Sequence, residues 1–148
     1  MYCPNKVRTP PVTSTSNVAS GYVGELFGTL RSGTGGFTYS TRTTTAPTTS
    51  IAAVVSLTLN KGVYLVSVVM NAGASVSTFM AGDVTVGGTQ VTTNNMLSVS
   101  SSSTSYGTLS VCLPVIISSD STVVAGRAYF GAGTSTGAVH EMWAVRIA

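Results

Sequence analysis

Apolar and polar residues alternate along much of this chain with a period of two. In residues 51–59 every odd position is apolar, whereas Ser56 and Thr58 occupy even positions. Because strand side chains point alternately to opposite faces of a sheet, this pattern predicts a strand with one face in a core. Further strand-length apolar runs cover residues 22–30, 79–86, 109–117, 123–130 and 139–147.

Residues 63–70 predict a strand that is apolar on both faces. Tyr64 and Met70 belong to one row of apolar side chains, and Val63, Leu65 and Val69 form the other. In an antiparallel sandwich one face of each strand packs on the core, so an apolar second face indicates contact with another subunit or a covering loop.

In the last apolar run, residues 139–147, the side chains of Trp143 and other odd-numbered residues are predicted to point into the core. His140 and Met142 then lie on the opposite face, away from Trp143. The residues predicted to contact another subunit are therefore Val63, Leu65, Val69, His140 and Met142.

Turn-forming residues separate the apolar runs, and no segment has the periodicity of an amphipathic helix. Asn60 to Gly62, for example, lie between two predicted strands. We therefore predict an all-β fold, an antiparallel jelly-roll β-sandwich of about eight strands that spans residues 21–148. Pro114 predicts an edge strand or a bulge, because proline has no N–H to donate to a strand ladder. Residues 41–50 and 98–105 are predicted to be surface loops.

Residues 1–20 are predicted to form an extended arm that precedes the sandwich. Pro4, Pro10 and Pro11 fix backbone angles and remove hydrogen-bond donors, which favours an extended chain. Lys6 and Arg8 place two of the seven cationic residues in this arm.

The composition favours an assembly component over an enzyme. Only 7% of the residues are charged while 43% are apolar, whereas an ordinary soluble domain carries about 25% charged residues. The net charge of +3 rests on scattered cations, so nucleic-acid binding is not predicted. No apolar stretch reaches the roughly 20 residues of a membrane helix, and residues 1–17 lack the apolar core of a secretory signal. We expect a protein made and kept in a cytoplasm until it is assembled.

The residues that could carry catalysis do not form a convincing set. Gly133–Gly137 matches G-x-S-x-G, but a nucleophile elbow needs a helix after it, and here a strand is predicted to follow. His140 and Glu141 are neighbours on a predicted strand and point to opposite faces. Asp83 and Asp120 are predicted to be turn or strand-end residues. We expect no enzymatic activity.

The two cysteines and the single histidine do not suggest a metal or cofactor site. One histidine and two distant thiols make no zinc-ligand set, so no metal and no cofactor are predicted. Cys3 and Cys112 are expected to be free thiols in a reducing cytosol, and the alternative is one disulfide that ties the arm to the body.

Residues 55–69, VSLTLNKGVYLVSVV, resemble the SLTAGxWxVSG hairpin found in many small phage virion proteins. Those proteins end with a Ser/Thr turn, an apolar strand, an STxxAYG segment and a strand rich in Ala and Arg. Residues 118–130, 133–137 and 142–148 are similar in pattern and order, and GYVGEL at residues 21–26 is similar to their start. The aromatic after the turn glycine is displaced to Tyr64, and the Arg-rich ending is reduced to Arg146.

The resemblance implies a β-sandwich virion component, often trimeric in the manner of tumour-necrosis-factor-like knobs. We expect a non-enzymatic capsid decoration or cement protein, a homotrimer on the virion surface of a bacteriophage, made in the host bacterial cytoplasm. The alternative is a fibre or tail-tip module that binds a host glycan through residues 41–50, 98–105 and 131–137, with Tyr106 as a platform. Contact with the major capsid protein is assigned to arm residues Pro4, Lys6, Arg8, Pro10 and Pro11.

Overall fold

The computed structural model describes residues 21–28, 30–33, 36–39, 41–92, 96–100 and 106–148. Within these residues the regular structure is entirely β, and no helix is long and apolar enough to cross a membrane. The strands are β1 (Leu26–Phe27), β2 (Leu30–Gly33), β3 (Gly36–Tyr39), β4 (Thr41–Thr43), β5 (Ala52–Leu59), β6 (Gly62–Ala74), β7 (Thr78–Val86), β8 (Thr89–Gln90), β9 (Met96–Ser100), β10 (Tyr106–Ile117), β11 (Thr122–Phe130) and β12 (Ser135–Arg146).

The strands form two antiparallel sheets that enclose a shared core. The first sheet has the order β1-β12-β6-β10, and β4 also pairs with β12. The second has the order β5-β11-β7-β8, and β9 also pairs with β7. Strands β2 and β3 pair only with each other. The all-β sandwich predicted from the sequence is confirmed, and the predicted arm lies outside the described residues.

The long apolar runs form the long strands, and most differences from the prediction lie in the shorter, more polar segments. The runs at 51–59, 63–70, 79–86, 109–117, 123–130 and 139–147 correspond to β5, β6, β7, β10, β11 and β12. Strand β10, which contains Pro114, ends the order of its sheet, as the proline predicted. The run at 22–30 was wrong in part, because Tyr22 to Gly24 form a turn before the two-residue β1. The predicted loops at 41–50 and 98–105 include β4 and part of β9.

Period-two alternation builds the core from the inward faces of both sheets. On β6 the even residues from Tyr64 to Met70 are completely buried, while Val63 and Leu65 are partly exposed. Burying a Val, Leu or Met side chain fully contributes roughly 1.5–3 kcal/mol. The core draws on both sheets through Val54, Leu59, Val66, Val68, Met80, Val84, Leu109, Ile117, Val124, Phe130 and Met142, among others.

The prediction for β12 assigned its two faces the wrong way round. Trp143 and Val145 are only partly buried, whereas His140 and Met142 are completely buried inside the protomer. The register explains the reversal, because Met142 lies opposite Val68 and Trp143 opposite Ser67 on β6. His140 and Met142 are therefore corrected from interface residues to interior residues.

Two glycines let the sheets approach closely at the centre of the sandwich. A Cβ atom on Gly126 would lie 2.8 Å from Val68 Cγ1 and 3.2 Å from Met70 Sδ. A Cβ atom on Gly82 would lie 3.1 Å from Met70 Cε. Real Cβ atoms essentially never approach another heavy atom within 3.0 Å, so Gly126 is needed where β11 faces β6.

Candidate functional site

The outer face of the first sheet is apolar. Cross-strand pairing places Leu65 beside Val145 on one side and Pro114 on the other, and Val63 beside Ile116. Outward side chains of an antiparallel sheet are usually polar. We define the outer apolar face by Leu26, Val63, Leu65, Val69, Pro114, Ile116, Trp143, Val145 and Ile147.

Several members of the outer apolar face are strongly exposed. The exposed fraction is 76% for Ile116, 45% for Ile147 and 36% for Val69. Glu141 lies on this face opposite Val69 on β6 and opposite Arg42 on β4. A contiguous apolar patch of this kind is typical of an interaction surface.

The outer apolar face contains three of the five residues predicted to contact another subunit. Val63, Leu65 and Val69 point outward on β6, beside β10 and β12. The burial of His140 and Met142 removes those two from any surface that a second copy could touch in this conformation. Trp143 and Val145 take their place, since they share the outward side of β12. The alternation separated the two rows of side chains correctly, but the row of Val139, Trp143 and Val145 was assigned to the core.

The arm residues Pro4, Lys6, Arg8, Pro10 and Pro11 lie outside the described residues. The point where the arm joins the body is described. Gly24 N donates to Arg146 O, and Arg146 N donates to Glu25 O, so residues 24–25 pair with the end of β12. Gly21 N also donates to Glu25 Oε2 at 2.6 Å.

A buried arginine fastens this junction. Arg146 donates from Nη2 to Tyr64 Oη at 2.6 Å and from Nη1 to Lys61 O at 2.8 Å, and its Nε lies 3.4 Å from Glu25 Oε2. Burial, the largest influence, raises the pKa of Tyr64, so the phenol remains protonated. It donates to Asn60 O at 2.9 Å. Hydrogen-bonded buried charges of this kind hold neighbouring segments in one arrangement.

The outer face of the second sheet carries a buried ion pair. Asp83 on β7 and Arg127 on β11 are cross-strand partners. Arg127 donates from Nε to Asp83 Oδ1 at 2.7 Å and from Nη2 to Oδ2 at 2.5 Å. The exposed fraction is 2% for the Asp83 side chain and 29% for that of Arg127. The hydrogen bond to Asp83 raises the pKa of Arg127, so the guanidinium stays charged.

The ion pair forms the floor of an open cleft of about 350 Å³. Its walls are Thr49, Ile51, Gln90 and Tyr129. Tyr129 makes an edge-to-face contact with Phe79, with ring centroids 5.9 Å apart. The segment that contains Thr49 is held against β11, because Phe130 N donates to Thr48 O at 2.8 Å. We call this space the ion-pair cleft.

A second cleft of about 360 Å³ adjoins the ion-pair cleft at the same segment. Its lining comes from residues 46–49 and 133–135. Thr49 lines both clefts. The structure thus brings together two of the three segments proposed for glycan recognition, those within 41–50 and 131–137. We call this space the hydroxyl cleft, because Thr48, Thr49, Thr134 and Ser135 contribute to it.

The sequence analysis did not predict the ion pair between Asp83 and Arg127. Asp83 was predicted to end a strand or form a turn, but it lies within β7 and is almost completely buried. Asp120 does occupy a turn, where its Oδ1 accepts a hydrogen bond from Lys61 N at 2.8 Å. The available signal was a single carboxylate and a single guanidinium within two apolar strand runs, since such isolated charges need a partner.

The chain shows no match to any family model and none to the curated proteins. Its possible roles therefore follow from its own geometry. The outer apolar face and the ion-pair cleft lie on opposite sides of the sandwich because they belong to the outward faces of different sheets.

The residues considered for catalysis are placed far from a catalytic arrangement. In G-x-S-x-G, Ser135 begins β12, and its hydroxyl donates to Gly137 O at 3.2 Å. His140 Nε2 lies 2.8 Å from Thr45 O, so this nitrogen carries the proton and donates. Burial lowers the pKa of His140, which keeps the ring neutral. Glu141 points to the opposite side of β12.

The potential metal ligands and thiols are also separated. Among the described residues no three His, Cys, Asp or Glu side chains come together. Cys112 lies exposed and free on β10. Cys3 is outside the described residues, so the choice between free thiols and a disulfide stays a prediction.

Proposed function

We propose that this chain is a non-enzymatic structural protein of a bacteriophage virion, a decoration or cement protein that binds the outer surface of the head. The observation that carries the proposal is the outer apolar face, which a dispersed monomer would leave in contact with water. The low charge of the chain and the resemblance to phage virion proteins point in the same direction. The protein would be made in the host bacterial cytoplasm and mounted on the virion surface.

The finer fold assignment in this proposal is a jelly roll. Strands β5, β6 and β7 alternate between the sheets along the chain, as do β10, β11 and β12. Within the first sheet β12 pairs with β6, and within the second β11 pairs with β7. Two interleaved sets of strands with this alternation are what a double Greek key requires.

The proposed assembly is a homotrimer formed through the outer apolar face. A subunit contact of ordinary size buries about 800 Å² on each partner. At about 25 cal/mol per Å² of apolar surface, such a contact supplies a gross stabilisation of many kcal/mol before the entropic cost of association. A trimer held in this way would resist expansion of the shell beneath it.

The proposed anchor is the N-terminal arm, which would contact the major capsid protein through Pro4, Lys6, Arg8, Pro10 and Pro11. The network around Arg146 supports this role, because it fixes the point from which the arm leaves the body. Deletion of residues 1–18 should abolish attachment to heads while the body stays folded. A control that replaces the same residues with a Gly/Ser segment of equal length should also fail to attach. Attachment by either variant would contradict the anchor.

The test of the function is the number of copies on a purified particle. Virions would be isolated by density gradient, and the chain would be quantified against the major capsid protein by mass spectrometry with isotope-labelled peptides. Hundreds of copies per particle would support decoration. A dozen copies or fewer would favour the fibre or tail-tip alternative, and absence from the particle would overturn both.

A further inference from the structure

The ion-pair cleft on the second sheet adjoins the hydroxyl cleft, which residues 46–49 form together with residues 133–135. Thr49 belongs to the lining of both, so a linear ligand can pass from one to the other. We propose that the two clefts form one groove that binds a neutral oligosaccharide. This site does not depend on the proposed decoration function.

The ion pair gives the groove the polar chemistry that a sugar requires. Asp83 uses both oxygens to accept from Arg127 and, with a side chain that is only 2% exposed, holds the guanidinium in place at the floor of the cleft. Arg127 Nη1 has no partner among the described residues and keeps its two N–H groups for a ligand oxygen. The cleft therefore presents a hydrogen-bond donor that its buried partner already orients.

The charges in the groove favour a neutral ligand. Asp83 and Arg127 cancel each other, and the other residues that line the two clefts carry no charge. An anionic sugar would meet the buried carboxylate of Asp83, and a cationic amine would meet the guanidinium of Arg127. Each would have to compete with a bidentate hydrogen-bonded pair, which is a strong interaction. A polyol can bind without disturbing it.

The remaining walls suit the mixed surface of a sugar ring. Tyr129 and Ile51 offer apolar surface for the C–H groups, and the edge-to-face contact with Phe79 fixes the tyrosine ring. Gln90 and Thr49 add an amide and a hydroxyl beside the ion pair.

The hydroxyl cleft extends the site by at least one further sugar unit. Pro47 supplies an apolar surface there, and Thr48, Thr134 and Ser135 supply hydroxyls. The Thr134 hydroxyl interacts with Ser75 Oγ at 3.2 Å, which limits its rotation. Each cleft, at about 350 or 360 Å³, is at the small end of the range for ligand sites. The pair thus fits two or three units better than a single large ligand.

The test is an array of immobilised oligosaccharides that includes neutral hexose and deoxyhexose chains together with uronic-acid and amino-sugar chains. We expect binding to a subset of the neutral chains, and titration calorimetry with the best of them in solution would give its Kd. Binding confined to the acidic or amino sugars would overturn the proposal, as would no binding to any neutral chain.

Two variants locate the site without relying on a damaged fold. Asp83→Leu combined with Arg127→Met removes both charges and puts apolar side chains of similar volume in their place. Folded proteins often tolerate this kind of replacement of a buried ion pair. Thr49→Asp introduces a charge at the exposed junction of the clefts. Each should weaken binding at least tenfold, whereas Thr58→Asp, an equivalent change at an exposed residue of β5 outside both clefts, should not. Thermal unfolding would verify that each variant is folded, and unchanged Kd in both groove variants would refute the site.

Discussion

Ile116→Asp tests whether the outer apolar face is a subunit interface. Ile116 is 76% exposed in the protomer and lies opposite Val63 across the β6–β10 ladder. In an isolated protomer this substitution removes little buried surface, so we expect a change in unfolding free energy within about 0.5 kcal/mol.

The same substitution has a much larger effect in an assembled trimer. Full burial of an isoleucine contributes roughly 1.5–3 kcal/mol, which each subunit would lose. A buried unpaired carboxylate adds a desolvation penalty of several kcal/mol. Even a combined loss of about 3 kcal/mol per subunit lowers the association constant of a single subunit contact by roughly a hundredfold. A trimer at micromolar concentration should therefore dissociate.

Size-exclusion chromatography with light scattering measures the result directly. The wild-type protein should elute with three times the 15.0 kDa mass of the chain, and Ile116→Asp should elute as a folded monomer whose thermal midpoint is lower only by the stabilisation that association adds. Val123→Asp is the matched control, because Val123 is 48% exposed but lies on β11 in the other sheet. It should remain trimeric.

Two results would refute the reasoning. A wild-type monomer at all concentrations would mean that the outer apolar face does not mediate self-association. A trimer that survives Ile116→Asp but not Val123→Asp would move the interface to the second sheet.

Three further predictions concern the stability of the body. Arg146→Met should lower the unfolding free energy by about 3–5 kcal/mol in denaturant titrations, because it leaves the buried carboxylate of Glu25 without its charged partner. A loss below about 1 kcal/mol would contradict the role of Arg146. Gly126→Ala should cost about 1–3 kcal/mol, since the added methyl overpacks the core against Val68, and a neutral effect would mean that the sheets can separate locally. The pKa of His140 is lowered from 6.5 by burial, so the unfolded chain binds this proton more readily than the folded one. Stability should therefore fall as the pH drops from 7.5 to 5.5, by up to about 1.4 kcal/mol per pH unit below 6.5, and His140→Gln should flatten this dependence; an equal slope in the variant would assign it to other groups.

The long strands were predictable because period-two alternation is a local property. The alternation in residues 63–70 predicted two rows of apolar side chains. One is the buried row that ends at Met70, and the other contains Leu65. The edge position of β10 was also predictable, since Pro114 limits pairing through its own backbone. The short strands β2, β3, β8 and β9 were not, because their stability comes from a neighbour in the sheet and not from their own apolar content.

The orientation of β12 could not be predicted from the residues of that strand alone. Its two rows of side chains are both largely apolar, and Trp143 was assigned to the core together with Val139 and Val145. The ladder with β6 decided otherwise, because it aligns Met142 with the buried Val68. A shift of one residue in register exchanges the two faces of a strand, so only the paired sheet could settle which row faces inward.

The sequence by itself determined that the chain is an all-β protein with few charges and with a strand apolar on both faces. These properties depend on residue type and on spacing within a single strand. Tertiary structure decided which faces combine into the outer apolar face, that Asp83 meets Arg127, and that residues 46–49 lie against residues 133–135. Asp83 and Arg127 are 44 residues apart, and nothing in either local segment specifies the other. Their contact exists because the packing of the whole sheet brings β7 beside β11 in one register.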